Sequence, residues 1–165
     1  MIIDQNLILS GSANANGAWT GQSIAASAGT IVSTNVIDKA PLAGNQVADW
    51  GAGEDIDVSI SVLTAITSGG AATVQFQLVE ADDAAISSNV QVVSESAAYA
   101  YTELTTGKQV VLGYPRSTPR TAKRYLAVRY VIGTAATTGG TVIAALVNDV
   151  QDPAGRTFAS GFSVA

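Results

Sequence analysis

The chain has no histidine and no cysteine among its 165 residues. This removes the side chains most used for proton transfer near neutral pH, for thiol nucleophiles and for zinc. A Ser-His-Asp triad and a Cys-His pair are both excluded, so the abundant serines and threonines carry no catalytic meaning on their own. No disulfide can hold the fold, which suits a reducing compartment. Charge is scarce as well, at 13% of residues against roughly 25% in ordinary soluble domains. Long apolar runs are missing: despite a mean hydropathy of +0.29, no stretch approaches the roughly 18 residues needed to cross a bilayer. The opening Met1-Ile2-Ile3-Asp4 has neither a basic n-region nor an apolar h-region, so synthesis in a cytoplasm without a signal peptide is expected.

What is present is Ala, Gly, Ser, Thr and Val. The 28 alanines leave the core to Val, Ile, Leu and a few aromatics. The length suits one domain spanning 1–165. The net charge of −5 hides a division: residues 1–107 carry eleven acids and one base, Lys39, whereas 108–165 carry seven bases and two acids. Lys108, Arg116, Arg120, Lys123, Arg124 and Arg129 follow one another with no acid between them. Such asymmetry either marks a charged partner or disappears when strands of the two halves interleave in space. Nucleic acid is not the expected partner, because the pI is 4.4 and no aromatic-basic module occurs.

Period-two alternation dominates. Ile56, Val58, Ile60 and Val62 alternate with Asp55, Asp57, Ser59 and Ser61, and Val74, Phe76 and Leu78 with Thr73, Gln75 and Gln77. The turn residues Thr67-Ser68-Gly69-Gly70-Ala71 lie between them, so a hairpin is predicted. The runs 124–132 and 140–148, around a second Gly-bounded turn, read as another such pair, apolar on both faces. Weaker strands are expected at 2–9, 31–38, 90–95, 99–104 and 108–114, and no helix is expected. Short strands with Gly-rich turns indicate an all-β protein, a sandwich, barrel or jelly roll.

Three stretches read as irregular. Residues 10–30, with Trp19, form either a connection or an extended arm that anchors on a neighbouring subunit. Residues 39–53, with Pro41 and Trp50, and 114–120, with Pro115 and Pro119, read as loops. Parity places Tyr130 in the core with Leu126, Val128 and Ile132, and puts Tyr125 and Arg129 on the opposite face as an interface patch. The acid groups Glu54, Asp55, Asp57 and Glu80, Asp82, Asp83 lack the ligand spacing of a calcium loop and read as a solvated face and a turn. No catalytic, cofactor-binding or metal-binding residue is assigned.

Several segments resemble a known family. They are Ser33-Thr34-Asn35-Val36-Ile37-Asp38, Gly53-Glu54-Asp55-Ile56-Asp57-Val58, Thr67-Ser68-Gly69-Gly70-Ala71-Ala72-Thr73 and Lys123-Arg124-Tyr125-Leu126-Ala127-Val128-Arg129-Tyr130, with Gly139-Gly140-Thr141-Val142 and Val147-Asn148-Asp149 after them. In order and spacing, over residues 31 to 152, they resemble the Bbp16-type capsid cement proteins of tailed bacteriophages. The resemblance implies a jelly-roll-like antiparallel β-sandwich on the outer surface of the virion capsid, stapling neighbouring major capsid protein subunits after synthesis in the host cytoplasm. It implies no enzyme activity and no cofactor. Residues 10–30 and 39–53 are longer than the family pattern leads one to expect. The partners expected are the major capsid protein and a second copy of the chain, as a homodimer or alternatively a trimer, without nucleic acid or membrane. The interface candidates are Trp19, Lys108, Arg116, Arg120, Lys123, Arg124, Tyr125 and Arg129. A carbohydrate-binding jelly roll using Trp19 and Trp50 is the competing reading, and a hydrolase built on Asp55 and Asp57 a more distant one.

Overall fold

The computed structural model describes residues 7–13, 18–39, 56–115 and 122–148. In chain order its strands are β1 (Ile8–Ser10), β2 (Ser12–Ala13), β3 (Trp19–Thr20), β4 (Gln22–Ser23), β5 (Gly29–Val32), β6 (Ile37–Asp38) and β7 (Ile56–Ser68). They continue with β8 (Thr73–Ala81), β9 (Gln91–Glu95), β10 (Tyr99–Ala100), β11 (Gln109–Tyr114), β12 (Tyr125–Gly133) and β13 (Thr137–Asn148). The fold is all-β, an antiparallel sandwich whose helical content among the described residues is slight and includes the 3-10 turn Tyr101–Glu103.

One sheet runs β1-β13-β7-β11, with β4 also alongside β13. The other runs β5-β12-β8, with β6 beside β12, and β9 and β10 both beside β8. Successive long strands therefore cross between sheets: β7 to β8, β11 to β12, β12 to β13. This is the winding of a jelly roll. It corrects both hairpins that the turn residues predict. Thr67 to Ala71 does reverse the chain, but β7 pairs with β11 and β13 while β8 pairs with β9, β10 and β12; β12 and β13 likewise lie in opposite sheets. A turn sequence encodes the reversal of direction; whether the next strand pairs with the last or faces it is decided by which apolar face must be covered.

The segment 99–104 is strand only at Tyr99–Ala100 before the 3-10 turn. The described part of residues 10–30 is more regular than a loop. Gln22 and Ser23 pair with β13, Ile24 is fully buried, and the Ile24 and Ala26 main chains bond to Gly140 and Thr137. Only the β2–β3 ribbon stands apart as a sheet of its own. Gly11 makes its entry possible: its φ is +83°, and a Cβ there would meet the Thr20 carbonyl oxygen at 2.5 Å.

The core lies where alternation places it, with Val58, Ile60 and Val62 facing Val74, Phe76, Leu78, Leu126, Val128 and Tyr130. Phe76 and Tyr130 meet edge to face at 5.8 Å, a favoured aromatic geometry. Tyr130 Oη and Ser10 Oγ share a 2.6 Å hydrogen bond between the two sheets, and burial pushes the phenol well above its usual titration range. A second, smaller cluster lies on the other face of the β8/β12 sheet, where Ile86 closes over Val79, Ala81 and Ala127. Asp83 holds that loop down by accepting bonds from Ser87 and Ser88 main-chain N–H groups at 2.9 and 2.7 Å.

Candidate interaction surfaces

Polar and apolar side chains are placed in two very different ways, inside the sandwich and at its edges. The first is a buried node where the ends of β6, β8, β11 and β12 converge. Glu80 continues the inward parity of Val74, Phe76 and Leu78 and is fully buried. Its carboxylate accepts from Lys39 Nζ, from Tyr114 Oη at 2.6 Å and from the Lys123 main-chain N–H at 3.1 Å. Lys39 also donates to Tyr114 Oη at 3.2 Å. Burial alone would raise the carboxyl's titration point; these donors outweigh it and hold Glu80 below its ordinary value. The reading of Glu80 as part of an acidic turn is thus corrected: it lies buried in β8, parity carried the signal, and the lone base of the first half, Lys39, is its counterion.

Around this node the basic residues turn inward to the chain's own acids. Lys123 pairs with Asp82 at 3.1 Å, and Asp82 titrates below its usual range because Asn89 and Lys123 donate to it. Arg124 grips Asp38 with both ends of its guanidinium, Nε to Oδ1 at 2.9 Å and Nη2 to Oδ2 at 2.8 Å, and lies 5.1 Å over the Tyr125 ring. Arg129 donates to Gln77 at 2.9 Å, and Gln77 passes its own amide to Glu95 at 2.8 Å. Lys108 sits apart, its ammonium 5.3 Å over the Tyr99 ring. The charges of the two halves do mix in space. Tyr125 and Arg129 share the outer face of the β8/β12 sheet, as parity predicts, and both are half-buried. Arg116, Arg120, Trp50, Glu54 and Asp55 lie outside the described residues. Among the described residues no three acidic side chains come together as a metal site would need.

The second kind of placement is apolar and sits at the sandwich edges. Trp19 is 41% exposed on the β2–β3 ribbon, beside the β1/β5 edge. An open groove of about 620 Å³ runs at the ribbon's base between Gly11, Ser12 and Thr20 on one side and Gln22, Thr34 and Asn35 on the other. Its amides are engaged: Gln22 bonds the Val32 carbonyl and the Thr34 N–H at 2.8 and 2.9 Å, and Asn35 bonds the Ile8 carbonyl at 3.0 Å. The opposite edge carries Val92 on β9 and Val111 on β11, 40% and 39% exposed. Sequence reasoning found Trp19 and missed both valines, since exposure of an apolar residue in a strand depends on whether that strand is an edge. Among the described residues no helix is long and apolar enough to cross a membrane.

Compared with known proteins, the chain matches the model of one family, Bbp16, over residues 19–146. No curated protein matches it.

Proposed function

The chain belongs to the Bbp16 family, and from that premise we propose that it is a cement protein of a phage head, bound outside the capsid and stapling adjacent major capsid protein subunits. The observation that carries this reading is the position of the exposed apolar side chains. Trp19 projects at the β1/β5 edge and Val92 and Val111 at the β9/β11 edge, on opposite sides of one sandwich. A copy with attachment points facing apart bridges two neighbours. Bridging raises the effective concentration of the second contact, so modest interfaces add up to a durable lattice. Lys108 and Tyr99 stand at the second edge and add a cation to that surface. Lys123, Arg124, Tyr125 and Arg129 serve as a shaped polar rim, their charges already balanced by Asp82, Asp38 and Glu95 through Gln77.

The glycan-binding alternative would use Trp19 and the groove beside it. The groove's Gln22 and Asn35 amides are already engaged with main chain, which leaves few polar groups to read a sugar, so cementing is the better-supported reading. Co-sedimentation with heads that lack the protein tests it. Saturable binding at a fixed ratio to the major capsid protein is expected; no binding, together with tryptophan quenching by a sugar, would move the assignment to glycan recognition.

A further inference from the structure

The outer face of the β1-β13-β7-β11 sheet is buried where a two-layer sandwich leaves its side chains to solvent. Core parity on β7 and β13 belongs to Val58, Ile60 and Val62 and to Val142, Ala144 and Leu146, so the residues between them point to the other side. Register sets Ile8, Ala145, Ser59 and Val111 in one row across that outer face. Their exposures in that order are 3%, 3%, 7% and 39%. One row nearer the end of β13, Val147 is buried, Asp57 half-buried and Gly113 exposed. Ile8, Ala145 and Val147 belong to neither core cluster. A cover therefore lies over β1, β13 and β7 and stops short of β11. It is not a described strand, because each of those belongs to one of the two sheets or to the β2–β3 ribbon, and an open groove stands between the ribbon and Ile8.

Burial is deepest along the last residues of β13, the strand from which residues 149–165 continue, and we infer that this segment folds back over β13 and β7 with Phe158 and Phe162 as its anchors. Its sequence suits the task. Asp152-Pro153-Ala154-Gly155 has the residues a type I turn favours, with Asp first, Pro second and Gly fourth. Beyond that turn Phe158, Phe162 and Val164 share one parity and Thr157 and Ser163 the other, the pattern of a strand with one apolar side. Counted back from the turn, Phe162 comes level with Ala145 and Val164 with Ile143. A ring set over the small side chains of Ala145 and Ser59 gives large-on-small packing, and its own apolar surface leaves water. Two of the chain's three phenylalanines lie in this segment. The inference does not draw on the cement reading and goes beyond it: the chain closes this face for itself, and Trp19, Val92 and Val111 remain exposed for a partner.

A cysteine-free chain makes the test direct. Ala145→Cys in the full chain puts one thiol under the cover, and its rate of reaction with a maleimide reports how closed the face is. That rate is expected to rise at least tenfold when Phe158→Ser and Phe162→Ser are added, with circular dichroism unchanged. A thiol that already reacts at the free-cysteine rate overturns the inference. So does one that stays equally protected after the serine substitutions, which would assign the cover to another segment. Should the serine variant fail to fold, proximity decides with both phenylalanines in place. Packed sheets lie about 10 Å apart, and a bismaleimide of that span is expected to join Ala145→Cys to Val164→Cys within one chain, at the monomer mass. Joining between chains would mean that a second copy supplies the cover, and an unjoined pair that the segment lies elsewhere; either result overturns the inference. Neither measurement involves heads, so failure here leaves the cement reading to its own test.

Discussion

At the node of Lys39, Glu80 and Tyr114, charged and polar groups are buried and paired within the chain, while along the β9/β11 edge and the β2–β3 ribbon, apolar side chains stand in solvent. In the linear sequence the emphasis is reversed, because the run from Lys108 to Arg129 looks like the binding surface and the valines of β9 and β11 look like core. The sandwich inverts this. Interleaving β8 with β12 brings Asp82 to Lys123, and pairing β6 with β12 brings Asp38 to Arg124, so those charges are balanced within the chain. Charge shows where the fold is pinned; edge position shows where a partner fits.

The sharpest way to break the node is to remove one side of it. Glu80→Leu leaves Lys39 buried without its carboxylate, and such a loss costs about 3–5 kcal/mol. Adding Lys39→Met should recover most of that, because an apolar pair of similar volume removes the stranded charge. Denaturant titration of both variants reads the difference, and an equal loss in single and double variants would show that packing, not charge, is what the node supplies. The pH dependence has a definite sign. Glu80's folded value lies below its ordinary 4.5, so its contribution is fully present above about pH 4.5 and fades as pH falls through the folded value. Glu80→Leu should flatten that acid limb of the stability curve.

The next test separates the ribbon from the segment that follows it. Ile24 is fully buried and belongs to the main core; Ile24→Ala should cost about 2–4 kcal/mol, measured by the same titrations. If residues 10–30 were an arm that orders only on a neighbour, the isolated protein would not register the change. How far the sequence was legible becomes clear at such positions. Alternation identified the core face of β7, β8 and β12, since a period of two is a local property. The sheet assignment of each strand was not legible, because turn residues such as Gly69 and Gly70 serve a crossover as well as a hairpin. Glu80 was legible in parity and obscured by composition, and Val92 and Val111 were legible as strand residues but not as edges, a property of long-range order alone.

Trp19→Ala sharpens the other side of the comparison. Its ring makes the ribbon's only large apolar exposure among the described residues, so stability should stay within about 0.5 kcal/mol of the parent, while binding to heads should weaken by about 2 kcal/mol, the threshold of an interface anchor, or roughly 30-fold. Sedimentation at graded protein concentrations measures it. Unchanged binding would leave the β9/β11 edge as the principal attachment.

The smallest effect is expected where the sequence drew most attention. Lys123→Glu places a second carboxylate beside Asp82, and Arg124→Ala releases Asp38, yet both pairs are solvent-accessible and screened. The thermal midpoint should move little in either variant. If the rim acts by shape and hydrogen bonding, head binding should also depend only weakly on salt between low and physiological ionic strength, whereas a free basic patch docking on acidic capsid would lose affinity steeply over that range. A steep salt dependence abolished by Lys123→Glu would mean that the partner displaces Asp82 and takes the lysine for itself. The internal pairs would then be a resting arrangement, opened on binding, and the contrast between a satisfied face and an available edge would hold for the free protein alone.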